Sequence, residues 1–201
     1  MRKPLYPHIP RVGKPLYPHV TPKLNRITEG ICKALLERPS RLTHGYTSTN
    51  AFWIDDLGNI IQYNKIAPGL HTSDAIAVHS HMAENVLEVR EPYEQTFNAG
   101  DLFAIKWQIQ HGCGTKSVVL TNLATYDYIE IPPAAQGRFL KLGMKRLEEL
   151  AESKYGEGDL AIKSWERDRM KLRKFASDYG LIYKEKQPWV VPPEVLKARK
   201  G

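Results

Sequence analysis

The chain is 201 residues long, 42% apolar and 25% charged, which supplies enough nonpolar side chain for a packed core and excludes wholesale disorder. No apolar run approaches the roughly twenty residues that cross a bilayer, and Arg2 and Lys3 lead into prolines instead of the apolar stretch of an export signal. The net charge of +7 divides into +6 over residues 1–28, −5 over 29–133 and +6 over 134–201, so an acidic body stands between two basic arms.

Three units are expected: a Pro-rich arm over 1–23, a central domain over 24–133 and a basic helical extension over 134–201. The arm repeats Lys-Pro-Leu-Tyr-Pro-His at 3–8 and 14–19. Proline density of this kind suits polyproline II or extended coil. The repeat reads either as a strap offering Tyr6 and Tyr17 to a protein partner or a second copy of the chain, or as a tail draped on its own domain.

Leu24, Ile27, Ile31, Leu35 and Leu36 recur at helical spacing up to Arg38-Pro39-Ser40. Two strand-like runs follow, 51–54 and 60–63, joined by Asp55-Asp56-Leu57-Gly58-Asn59, which has the chemistry of a hairpin turn. Asp74 to Val78 is apolar on both faces and is expected at the centre of the sheet. It runs into His79-Ser80-His81. Residues 82–97 are polar and acidic and read as a surface loop, and 102–109 has helical periodicity with Gly112 as its stop. Residues 117–120 and 126–131 form a second expected hairpin, closed by Pro132-Pro133. The remainder predicts one helix over 139–151, a second over 160–179 ended by Gly180, and an edge strand at 181–183. The fold class expected is α+β, a mixed sheet flanked by helices.

His79-x-His81 is the most informative pattern. Residues two apart in a strand face the same way, so both imidazoles can turn to one metal at the carboxyl end of the strand. A catalytic zinc ordinarily takes three protein ligands and a water. Asp101, at a helix start, is one source of the third ligand, and His111 is another. Cys32 and Cys113 form no C-x-x-C pair and suggest neither a disulfide scaffold nor a thiolate zinc site, which fits a reducing cytoplasm.

Read in order, helix, hairpin, apolar strand, His79-Ser80-His81, loop, Asn98-Ala99-Gly100-Asp101, helix and hairpin, residues 24–133 resemble the JAB/MPN (JAMM) metalloprotease family. The family pattern is His-x-His-Pro followed by Ser-x-x-Asp opening a helix. The resemblance implies that His79, His81 and Asp101 bind zinc, that Asn98 stands where a Ser helps to hold the oxyanion, and that an upstream Glu acts as general base on the zinc-bound water. Met82 replaces the Pro, and the loop between the motif halves is longer than the family's. Residues 45–50 contain no carboxylate, which leaves Glu37 and Glu84 as substitutes for the base. The activity implied is zinc-dependent hydrolysis of a peptide or isopeptide bond in a protein or peptide substrate, or metal binding by a relative with impaired catalysis.

Two other readings remain. Gly100-Asp101 with His111 resembles the second cupin motif, and His79-x-His81 with Glu84 its first, which would make His79, His81 and His111 the ligands of iron, manganese or zinc. The third reading is a non-catalytic adaptor working through its basic arms. The run 167–174 alternates its bases with acids and apolar positions, the pattern of a solvated helix face, so nucleic acid is not an expected partner.

Overall fold

The computed structural model describes residues 22–37, 52–55, 57–63, 75–80, 96–121, 124–151, 159–190 and 192–198. The repeated arm, the stretch 45–50 and most of the acidic loop, with His81 and Glu84, lie outside the described residues.

The first helix, α1 (Pro22–Glu37), carries a stripe of Leu24, Ile27, Ile31, Ala34 and Leu35, all buried. Complete burial of each large aliphatic side chain in that stripe is worth about 1.5–3 kcal/mol. Strands β1 (Phe52–Ile54) and β2 (Ile60–Tyr63) form the expected antiparallel hairpin. Its turn is held by Asp55, whose Oδ1 accepts from the backbone N–H groups of Leu57 and Asn59, each at 2.8 Å.

Strand β3 (Ile76–Ser80) pairs antiparallel with β1 on one side and parallel with β4 (Lys116–Leu120) on the other. A parallel neighbour requires a crossover, supplied by helix α2 (Ala99–Gln110). Gly112, at φ +66°, follows the helix end as expected. Strand β5 (Thr125–Glu130) returns antiparallel to β4.

The polypeptide after residue 133 is built into the same sheet and core. Helix α3 (Pro133–Leu140) starts with proline at its first position, and α4 (Met144–Ala151) follows. The single helix expected over 139–151 is therefore two. Leu142 N–H turns back to Phe139 O, and Gly143 O accepts from Arg146 and Leu147, so the backbone restarts at Gly143 although the apolar spacing runs on across the break. Helix α5 (Asp159–Tyr179) leads through Gly180 to β6 (Ile182–Pro188), an edge strand longer than 181–183, and then to α6 (Pro193–Ala198).

The sheet order is β2-β1-β3-β4-β5-β6. The architecture is α+β, a mixed six-stranded sheet flanked by helices, and β3 is central in it. Alternation along the strands sorts the core into two layers. Ile76, Val78, Val118, Leu120, Tyr126 and Tyr128 join α1 and Trp189 on one face. Val119, Ile129 and Ile131 pack on the other with Phe97, α2, α3, α4 and α5, beside a smaller cluster of Trp53, Ala75, Ala77 and Cys113. No helix among the described residues is long and apolar enough to cross a membrane.

Candidate metal centre

His79 is the fourth residue of β3, opposite Val119 of β4, which in turn stands opposite Asp127 of β5. In-register residues share a face, so these three form a row across the sheet on the α2 side. Directly above lies the start of α2. Asn98 is its N-cap: the Asp101 N–H donates to Asn98 Oδ1 (3.1 Å) and the Asn98 N–H donates to Asp101 Oδ2 (2.7 Å). This reciprocal capping box satisfies backbone donors that an α-helix leaves unpaired at its start. It also orients the Asp101 carboxyl group, which the helix dipole favours at that position.

The other carboxylate oxygen of Asp101 reaches the sheet. Its Oδ1 lies 3.1 Å from His79 Nε2, with side chains 14% and 22% exposed. The Phe97 ring meets the His79 ring at 6.2 Å and 64°, an edge-to-face arrangement that packs one side of the imidazole. Two motif residues separated by 22 positions of chain are thereby brought together at the carboxyl end of a central strand.

The pair fits a divalent cation. Two ligand atoms bound tetrahedrally to zinc at about 2.0–2.1 Å stand roughly 3.3 Å apart, close to the separation found. A metal held there would require Nε2 unprotonated. The Asn98 N–H on Asp101 Oδ2 would be the outer-sphere contact that steadies this carboxylate as a ligand. Among the described residues, no group of three His, Cys, Asp or Glu converges, and His81, the third ligand of the expected set, lies outside them.

The remaining expected residues separate by layer. Glu37 ends α1, on the opposite face of the sheet from His79. His111 is the C-cap of α2, at the far end of a 12-residue helix from Asp101, a span of about 15 Å at 1.5 Å per residue. There its ring stacks on Trp107 at 4.1 Å. Residues 101–110 are helical, whereas a cupin site needs strands there, so Asp101 and not His111 joins His79. Asn98 Oδ1 is committed to the cap, and its Nδ2 is the side chain's donor group.

A second polar cluster next to the centre is absent from the sequence expectations. Asp127, 0% exposed, accepts at Oδ2 from Thr96 Oγ1 (2.6 Å), Tyr183 OH (2.9 Å) and Arg169 Nε (3.3 Å). Its Oδ1 accepts from Lys186 N–H (2.7 Å). Lys186 sits at φ +48° in the bulge where β6 loses register with β5, and Asp127 satisfies the backbone donor that the bulge exposes. Burial, and then the Asp127 charge, push the Tyr183 phenol far up, so it remains a proton donor. The available signal was Asp127 itself, a carboxylate between Tyr126 and Tyr128 in a strand that is otherwise apolar or aromatic at its buried positions.

Comparison with protein-family models, curated proteins and solved structures finds no match.

Proposed function

We propose that this chain is a zinc-dependent hydrolase of the JAMM type, acting on a peptide or isopeptide bond in a protein or peptide substrate. The observation that carries the reading is the approach of His79 Nε2 to Asp101 Oδ1 at 3.1 Å, joining the two halves of the motif. His79, His81 and Asp101 would hold the ion. When bound there, zinc supplies Lewis-acid polarisation of the substrate carbonyl and an acidified water as nucleophile.

The protein's own groups divide the remaining work. The capping box keeps Asp101 aimed at the strand, and Phe97 packs edge-to-face against the imidazole. Asn98 Nδ2 is positioned at the helix start, where an amide donor and the positive end of the helix dipole both favour a developing negative charge. Glu84 is the candidate base, whereas Glu37 ends α1 on the other face of the sheet, away from His79. Free Cys32 and Cys113 accord with a reducing cytoplasm. Burial, and then Glu29, raise the Cys32 thiol to about 11, which keeps it an unreactive thiol.

Elemental analysis after purification without chelators is expected to give about one zinc per chain, lost in His79→Ala and Asp101→Ala and retained in His111→Ala. A screen of peptides and isopeptides with the zinc-loaded protein then reads turnover. Metal retention without cleavage identifies an impaired relative. Absence of metal leaves the His79–Asp101 approach as a polar contact beside the helix cap, and favours the adaptor reading.

A further inference from the structure

We infer that Thr96 is a positioning residue for the candidate metal centre, and that the C-terminal α5–β6 unit sets Asp101 against His79 through it. The meaning for catalysis rests on the proposed metal reading, whereas the positioning is a property of the metal-free fold. The segment 96–98 is the short link before α2. Thr96, 2% exposed, is its anchor, Phe97 packs against His79, and Asn98 forms the capping box with Asp101.

The anchor is held from two strands distant in sequence. Its hydroxyl is 2.6 Å from Asp127 Oδ2 on β5 and 3.0 Å from Tyr183 OH on β6. Asp127 is itself fixed by Arg169 of α5, 0% exposed, and Arg169 also lies 3.6 Å from Glu166, which pairs with Lys186 at 2.8 Å. A buried hydroxyl bonded to a charged acceptor has one low-energy placement. Two residues of link transmit that placement to the helix cap, and the cap carries the carboxyl group that faces His79.

The test compares amide hydrogen exchange and zinc affinity in folded full-length protein. In Thr96→Val and in Tyr183→Phe, exchange at the Asn98 and Asp101 amides is expected to rise at least tenfold while that at Val118 to Leu120 of β4 stays as in wild type. Zinc affinity, read by competition with a chromogenic chelator, is expected to fall by about 10–100-fold. Thr96→Ser, which keeps the hydroxyl, should restore both. Tyr126→Phe removes a buried hydroxyl bonded to Thr28 and Leu24 O on the opposite face and should leave the Asn98 and Asp101 amides unchanged.

Wild-type exchange at the cap in folded Thr96→Val and Tyr183→Phe overturns the inference, as does an equal rise in Tyr126→Phe. Loss of the fold in both Thr96→Val and Tyr183→Phe also overturns it, because the cluster then serves the core and not the site. If wild type binds no zinc, the metal reading falls and the exchange data still decide the positioning.

Discussion

Asp101 serves two neighbours at once, closing the helix cap with one oxygen and facing His79 with the other. Asp101→Ala is therefore expected to lower stability by about 1 kcal/mol through the lost cap, read as a shift of the urea midpoint, and, on the proposed metal reading, to abolish zinc retention as well. Asp55 performs a comparable task without any candidate chemistry. Burial acts to raise its pKa, but hydrogen bonds from the Asn59 side chain and from the Asn59, Leu57 and Gly58 backbone outweigh it and hold the carboxyl group below its usual range. A depressed carboxyl group stabilises the fold above its unfolded value of about 3.9 and loses that contribution as pH falls through the lower folded value. Asp55→Ala should thus cost about 1–2 kcal/mol at pH 7, and the gap between the two urea midpoints should narrow toward pH 3.

Between elements, α1 crosses the β1–β2 turn at close backbone approach. A Cβ on Gly58, at φ +81°, would lie 2.4 Å from Arg26 O, and one on Gly30 would lie 2.7 Å from Gly58 O. Both obstacles are backbone, so Gly58→Ala should destabilise by about 1–3 kcal/mol. Gly137, inside α3 with nothing within 4 Å of its would-be Cβ, should do the reverse, with Gly137→Ala gaining about 0.5–1 kcal/mol in thermal denaturation. Periodicity made most elements legible: the α1 stripe, the two hairpins, the doubly apolar β3 and the α2 face all follow from spacing that the core enforces. Gly58 could be read as a turn residue, but not as the bed of a helix, since that depends on an approach between segments distant in sequence. The break at Gly143 was hidden because Phe139, Leu142 and Leu147 serve the same core on either side of it. In the candidate site, His79 and Asp101 were legible from motif spacing. Thr96, Tyr183 and Arg169 were not, since their common partner Asp127 is reached from three separate elements.

At the scale of the whole molecule, charged contacts differ widely in weight according to burial. Arg169 and Asp127, both 0% exposed, tie α5 to the sheet. Removing one member of a buried pair strands the other, so Arg169→Met is expected to cost about 3–5 kcal/mol, measured as loss of unfolding free energy in urea. Lys174 pairs with Asp178 in solvent on the same helix, and Lys174→Ala should change stability by less than about 0.5 kcal/mol. The return of the chain to its beginning carries a further consequence. Trp189 fills the layer under α1, and Cys32 Sγ donates to Val190 O across 158 positions. During synthesis, α1 emerges from the ribosome long before its indole partner is translated. Its oily stripe is covered in full only once the segment around Trp189 has also been made, so the closing of this layer depends on a contact of very long sequence separation and comes late in folding.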